Sequence, residues 1–410
     1  MSDVAVIGGG AAGLAAAIAA ARAGVSVVVY EQNDRIGKKL LATGNGRCNI
    51  TNMNAEYSAY NAPEFVMPTL AAHSPTETRT WFEQLGLLTR EEREGRVYPL
   101  SNTANSVVDV LRTTCERLGV RIVTQTRITS LDDVEEGVTI VACGGGSTLL
   151  ETAGHTIVPA RPVLCPLACE PVPAGLSGVR ARARISVMPQ GDESASPAFS
   201  DIGEVLFRDY GVSGIVVFDA SRYAQPGDTL VIQLMPERSR HDIHTLLHRR
   251  YVQFARDADI DVGKRELSCT YEQFMVGIFH PRINAWLIKS AGLKPSAFVH
   301  EDDVERLENA LFAQRLRVLG PGDEQQAQVM RGGAMLDEFD DVTLQSRLVP
   351  HLYAAGEALN VDGRCGGYNL QWAWASGRVA GESAVTAAEA LGRHGQMPYA
   401  RGAARRLTPI

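Results

Sequence analysis

Gly8, Gly10 and Gly13 form a G-x-G-x-x-G pattern inside the stretch VAVIGGGAAGLAAAIAAARAGVSVVVYEQ, which ends in an acid and an amide, Glu31 and Gln32. Glycines at this spacing have separate tasks. Gly8 permits a tight turn, Gly10 lets the backbone approach a pyrophosphate, and Gly13 lets a helix pack close to the preceding strand. The positive end of that helix faces phosphate oxygens, while the Glu31 carboxylate suits ribose 2′ and 3′ hydroxyls and repels a 2′-phosphate. The expected ligand is therefore a dinucleotide of the NAD or FAD type, with NADP disfavoured at this position.

Two further segments decide between these. Residues 37–54, GKKLLATGNGRCNITNMN, place Lys38, Lys39 and Arg47 in a Gly- and Asn-rich loop suited to wrapping a long dinucleotide, where a nicotinamide dehydrogenase would continue with more βαβ repeats. Near the other end, LYAAGEALNVDGRCGGYNLQWAWASG reads as a short strand over Leu352–Ala355, then Gly356 and Glu357, then Gly366 and Gly367 opening a helix from about Leu370. The Glu357 carboxylate suits a sugar-alcohol hydroxyl. A Gly-Gly helix start aims free N–H groups at an anionic oxygen, and reduced flavin develops negative charge at its N1/C2 carbonyl region. Both elements favour FAD.

The elements that must position these residues can be read from the same text. Val4–Ile7 has the continuous apolar character of a strand buried on both faces, Ala11 to Ala23 that of a helix stopped by Gly24, and Val25–Tyr30 that of a second buried strand. Together they form a βαβ unit. From 159 to 236 short alternating segments such as ARARISVMP and GDTLVIQLMP predict an inserted antiparallel β domain, and from 237 to 324 apolar residues at helical spacing predict an inserted helical subdomain. The reading is an α/β fold: a Rossmann-type, glutathione-reductase-like FAD-binding domain made discontinuously from 1–158 and 325–410. The segment QGDESASPAFSD, 190–201, is expected to be an exposed mobile loop.

Composition narrows the function classes. The chain has 410 residues, 45% hydrophobic and 21% charged, with net charge −7 and no block of like charges. This predicts a small-molecule partner, without nucleic acid or membrane. The seven cysteines lack C-x-x-C spacing, so neither a disulfide framework nor a metal site is expected. With no apolar run long enough to span a bilayer, the chain reads as cytoplasmic.

The motifs GGGAAGLAAA, GKKLLATGNGRCNITN, RVYPLSNTANSVVDVL, GEVLFRDYGVSGI, GGAMLDEF and LYAAGEALNVDGRCGGYNLQWAWASG run from end to end of the chain. On them the sequence resembles the bacterial bile-acid-inducible reductase and aminoacetone oxidase group of NAD(P)/FAD-dependent flavoproteins. The resemblance implies that Gly8, Gly10, Ala11, Ala12, Gly13, Glu31 and Gln32 hold the adenylate and diphosphate of FAD, with the backbone of Ile128 at the adenine. It implies that Lys39, Thr43, Gly44, Gly46, Arg47, Cys48 and Asn49 line the ribityl chain and flavin, and that Gly356, Glu357, Gly367, Asn369 and Leu370 close the isoalloxazine end. The sequence departs from the group where Cys143 replaces a threonine and the segment after Gly144 is shortened, leaving contacts at Ala142 and Gly144 to the backbone. Arg364 stands where proline is common.

The resemblance implies an FAD-dependent oxidoreductase passing hydride between flavin N5 and a small organic substrate. NAD(P)H-linked reduction of an enone such as a 3-oxo bile acid or steroid is expected, with NADH or NADPH as a transient reductant. Amine oxidation of the aminoacetone oxidase type and a non-catalytic redox-sensing flavoprotein stay open as alternatives. Candidate catalytic groups are few. Cys48 and Cys365 are a dithiol relay or packing cysteines; Tyr368 is a proton donor or a packing ring; His280 stands at a helix break; Trp372 and Trp374 read as core.

Overall fold

The computed structural model describes residues 3–145, 148–191, 196–257, 266–323 and 327–393. Part of the 190–201 loop, the boundary expected at 324–325 and residues 394–410 lie outside the described residues. The described residues form two compact units, with the chain passing between them at 161/162 and 328/329.

In the first unit the β-branched run at the start of the chain makes the middle of a five-stranded parallel sheet. Its order is Leu352–Ala354, Val138–Val141, Val4–Ile7, Val27–Tyr30, Arg121–Val123. Val4, Ala5, Val6 and Ile7 are all buried, as a strand covered on both faces requires. The expected Rossmann-type α/β architecture is present, and the chain's last long helix belongs to it.

The alanines of helix Ala11–Arg22 are explained by that last helix, Tyr368–Arg393. A Cβ on Gly377 would stand 2.2 Å from the Ala12 carbonyl oxygen, and one on Gly381 would stand 2.4 Å from that of Ala16. The two helices cross backbone to backbone, a contact that only small residues on both permit. This crossing ties the carboxy-terminal segment to the amino-terminal turn within one unit.

In the second unit six strands close into a barrel in the order Arg180–Met188, Phe199–Arg208, Gly211–Ser213, Leu167–Glu170, Gln314–Pro321, Thr229–Gln233. Gln314–Pro321 lies in the stretch read from sequence as helical, and the helices Arg240–Asp257, Pro281–Ser290 and Val304–Phe312 share one apolar core with the barrel. The 159–236 and 237–324 segments are thus not separate cores. The physical reason is strand closure: Gln314–Pro321 alternates buried and exposed positions, and its pairing with Leu167–Glu170 and Thr229–Gln233 removes two open sheet edges.

Among the described residues no helix is long and apolar enough to cross a membrane, and no group of three or more His, Cys, Asp or Glu side chains is placed to hold a metal. No disulfide links the seven cysteines.

Candidate functional site

The amino-terminal turn leaves the central strand at Gly8, whose φ of +111° turns the chain and whose N–H donates to the Tyr30 carbonyl at 2.8 Å. A Cβ on Gly13 would lie 1.9 Å from the Gly8 carbonyl oxygen, so that glycine is required by packing. Gly10 differs: a Cβ there would meet nothing within 4 Å. No protein neighbour explains its lack of a side chain, and the space lies at the start of helix Ala11–Arg22. That helix has no side-chain cap and no acid in its first turn, which leaves its first N–H groups without internal acceptors. Ala12, one of those first-turn residues, stands against Gly356, where a Cβ would come within 2.9 Å of the Ala12 Cβ.

Glu31 is only 7% exposed. Its Oε2 accepts the Gly9 N–H at 2.8 Å, and its Oε1 accepts the Asn33 N–H at 2.8 Å and the Asn33 Nδ2 at 2.6 Å. The carboxylate therefore clamps the turn, with acceptor capacity to spare for a hydroxyl. Gly9 and Asn33 were not picked out in the sequence. Gln32 is exposed, and Ile128 packs half-buried against the apolar core on one side of the sheet.

The Leu40–Gly46 segment is irregular: Gly44 (φ +57°) and Asn45 (φ +56°) break its short helical turns, and the Thr43 hydroxyl donates to the Leu40 carbonyl at 2.6 Å. Gly46 and Cys48 also have positive φ. Four contacts join this loop and its sequel to the distant end of the chain. Lys39 Nζ meets Glu357 Oε2 at 2.6 Å, and the Thr51 hydroxyl donates to Gln371 Oε1 at 2.6 Å. Asn52 Nδ2 donates to the Gly366 carbonyl at 2.9 Å, and Trp374 Nε1 to that of Ile50 at 2.9 Å. The Ala142 N–H donates to the Ile7 carbonyl at 2.8 Å, and a Cβ on Gly144 would lie 3.9 Å from Glu357 Oε2. The three motif segments chosen from sequence thus meet in one unit.

The long helix starts at Tyr368, two residues before the expected Leu370, because Gly366 and Gly367 take φ near +105° immediately before it. A Cβ on Gly367 would lie 2.6 Å from the Thr51 carbonyl, a close approach that fixes this helix start against the 49–52 segment. No acid lies in its first turn. The Asn369 side chain bridges Gly363 and Arg364, accepting the Gly363 N–H at 2.8 Å and donating to both carbonyls. Leu370 packs half-buried on the core. Asn49 is 7% exposed and its Oδ1 has no hydrogen-bond partner.

Several candidates have protein partners or surroundings of their own. Tyr368 sits edge-on to Tyr60 with ring centroids 6.2 Å apart, and its hydroxyl points to the Asn54 carbonyl at 3.4 Å. Burial pushes the Cys48 thiol up to about 12, so it keeps its proton at neutral pH, and thiolate relay chemistry does not suit it. Cys365 is half-buried near the Tyr98 ring. Arg47 stacks on Tyr98, 3.9 Å from the ring centre, and donates to Glu92 and Asn102 at 2.5 Å each. His280 caps its own helix, accepting the Arg282 N–H at 3.2 Å. Trp372 and Trp374 are buried, with the Trp372 indole N–H on the Gly356 carbonyl at 3.1 Å.

Sequence reasoning missed Tyr98, Glu92 and Asn102, although Tyr98 and Asn102 lie inside RVYPLSNTANSVVDVL. It also missed His155, which joins Glu338 (2.8 Å) to Ser346 (3.0 Å). Ser346 is buried and its oxygen already accepts the Leu348 and Val349 N–H groups, so this array is a clamp and not a nucleophile.

A long dinucleotide fits these residues. Two helix starts from opposite ends of the chain carry no acid in their first turns, Gly10 leaves room beside one, and the unpartnered Asn49 oxygen lies beside the other. A family model described as the HI0933-like protein Rossmann domain matches residues 2–383. The chain is 34% identical to the 3-dehydro-bile acid delta(4,6)-reductase of Clostridium scindens, over 94% of this chain and 99% of that protein. It is 26% identical to the ribosomal RNA dihydrouridine synthase of Escherichia coli, over 94% and 98%. Among solved structures it is similar to 3-ketosteroid delta1-dehydrogenase from Sterolibacterium denitrificans, with a TM-score of 0.45 and 13% identity over 94% of this chain and 99% of that one.

Proposed function

The chain belongs to the HI0933-like Rossmann family, and from that premise we propose that it is an FAD-dependent oxidoreductase reducing a carbon–carbon double bond conjugated to a carbonyl, with NADH or NADPH as transient electron donor. The near-complete match to a bile-acid reductase supports the substrate class. The observation that carries the reading is the Lys39 to Glu357 ion pair at 2.6 Å, which joins the amino-terminal loop to the segment leading into the last helix.

In this reading the backbone N–H groups at Gly10, Ala11, Ala12 and Gly13 hold the diphosphate, and Gly8 sets their direction. Glu31, Gln32 and Ile128 bound the adenosine. Lys39, Thr43, Gly44, Gly46, Arg47, Cys48, Asn49, Ala142, Gly144, Gly356 and Glu357 surround the ribityl chain. The helix start at Gly367, Asn369 and Leu370 directs N–H groups at the redox ring, where negative charge gathers on reduction. Bound FAD supplies the hydride; the protein's share is orientation, exclusion of water and a proton for the second carbon.

The ribosomal RNA relative favours a second substrate within the same chemistry, since the uracil C5=C6 bond is also conjugated to a carbonyl. The test is spectroscopic. Purified protein reconstituted with FAD is expected to be yellow, to bleach anaerobically with NADH or NADPH, and to recover colour on adding a 3-oxo-4-ene steroid acid or, for the second substrate, a uridine-containing RNA. Protein that stays colourless, or reduced flavin that neither acceptor reoxidises, would defeat the proposal.

A further inference from the structure

A cluster of cations stands beside the last helix's start, and two of its members, Arg90 and Arg96, are left unused by the dinucleotide reading. It lies on the three-stranded antiparallel sheet of Thr51–Asn52, Arg96–Pro99 and Thr89–Glu91. Arg90 stands opposite Tyr98 in register and Asn52 opposite Arg96. Residues two apart on a strand share a face, so Arg90, Tyr98, Arg96 and Asn52 project to one side. Arg47 reaches that side from the 39–49 loop, stacked on the Tyr98 ring.

The charges on this face do not cancel. Glu92 Oε1 accepts from Arg47 at 2.5 Å and from Arg90 at 2.8 Å, so one carboxylate serves two guanidiniums, while Arg96 pairs with Glu94. Three cations against two anions leave one positive charge. The Asn102 side-chain oxygen, the other shared acceptor of Arg47 and Arg90, is neutral. Tyr98 is 8% exposed, and its ring carries the Arg47 guanidinium. Burial holds its phenol above the usual tyrosine range, so the group is a neutral O–H donor.

Position separates this cluster from the diphosphate. Arg96 Nε lies 3.2 Å from where a Cβ on Gly366 would stand, and the Tyr98 ring lies 3.5 Å from the Cβ position of Gly44. The surplus charge thus sits at the Gly366–Gly367 mouth and not at the Gly8–Gly13 turn. Guanidinium forks with a neutral O–H donor beside them form a receptor for a carboxylate or phosphate.

We propose that Arg90, Arg96 and Tyr98, completed by Arg47, form a subsite for an oxyanion carried by the substrate. The assignment of that oxyanion to a reducible substrate rests on the function proposed above and adds that the substrate is anionic. A carboxylate on an apolar enone and the phosphate of a uridine nucleotide share the required chemistry.

Isothermal titration of the purified full chain tests this without turnover, using a 3-oxo-4-ene steroid acid against its methyl ester, and uridine monophosphate against uridine. The anion is expected to bind at least ten-fold tighter than its neutral analogue in one pair, and that pair names the source. In the Arg90→Gln/Arg96→Gln double variant the preference should fall below two-fold, and Arg90→Lys/Arg96→Lys should recover part of it. Equal binding or no binding in both wild-type pairs would overturn the proposal, as would a preference that survives the double Gln variant with unchanged thermal unfolding. Flavin absorbance of the same samples reads the redox proposal separately: colourless protein that still prefers the anion retains the subsite and loses the reaction.

Discussion

Gly10 and Gly13 occupy the same motif for different reasons, and this makes them separable by substitution. A Cβ at Gly13 collides with the Gly8 carbonyl at 1.9 Å, whereas at Gly10 it meets no protein atom within 4 Å. Gly13→Val is therefore expected to destabilise the fold by several kcal/mol, about what overpacking and backbone shifts cost. Gly10→Val should melt within a degree or two of wild type yet lose FAD on gel filtration. Equal losses of stability in the two variants would mean that Gly10 is also a packing residue. Cys48 illustrates the opposite case, a residue in a flavin-facing motif whose buried, high-pKa thiol marks it as core.

Individual elements carry their own tests. The crossing of helices Ala11–Arg22 and Tyr368–Arg393 depends on Gly377 and Gly381 facing the Ala12 and Ala16 carbonyls. Gly377→Leu should force the pair apart, lower stability in urea by about 1–3 kcal/mol or more, and weaken FAD retention because the same crossing sets the last helix's start. A stable variant with normal flavin content would refute this.

Helix Pro75–Leu85 begins with a capping box, Ser74 Oγ accepting the Glu77 N–H at 3.3 Å and Glu77 Oε2 accepting the Ser74 N–H at 2.8 Å. The Ser74 backbone N–H holds the Glu77 carboxyl below the usual carboxylate range. Since the folded pKa is the lower one, this contribution is complete above the unfolded pKa and disappears as pH falls through the folded value. Glu77→Gln should thus cost stability at pH 7, measured by urea midpoints, and the gap from wild type should narrow below about pH 4; a gap that widens on acidification would contradict the assignment.

At the scale of the whole molecule, the flavin reading makes a claim about segments far apart in sequence. Lys39 and Glu357 are 2.6 Å apart, and Asn52 reaches Gly366. Hydrogen exchange on FAD addition is therefore expected to slow in both the 8–49 and the 356–371 peptides. At a free FAD concentration 100 times its dissociation constant, binding to the native state alone adds about 2.7 kcal/mol, which thermal melts will read. Protection confined to one of the two segments would remove the shared site.

Local patterns were enough for the βαβ unit, because continuous apolar strands, a glycine turn and an alanine helix are each dictated within a few residues and their order allows few topologies. The motif positions followed from the same short-range logic. Sequence assigned Gly10 and Gly13 different tasks but could not show what lies beyond each missing side chain. Nor could it show that Glu31 spends most of its acceptor capacity on Gly9 and Asn33, that Gln314–Pro321 closes a barrel begun near Leu167, or that Arg47, Arg90 and Arg96 share a face with only two carboxylates. Those are facts of non-local register and packing: charge balance and free space are sums over neighbours, and only the folded chain determines which neighbours there are.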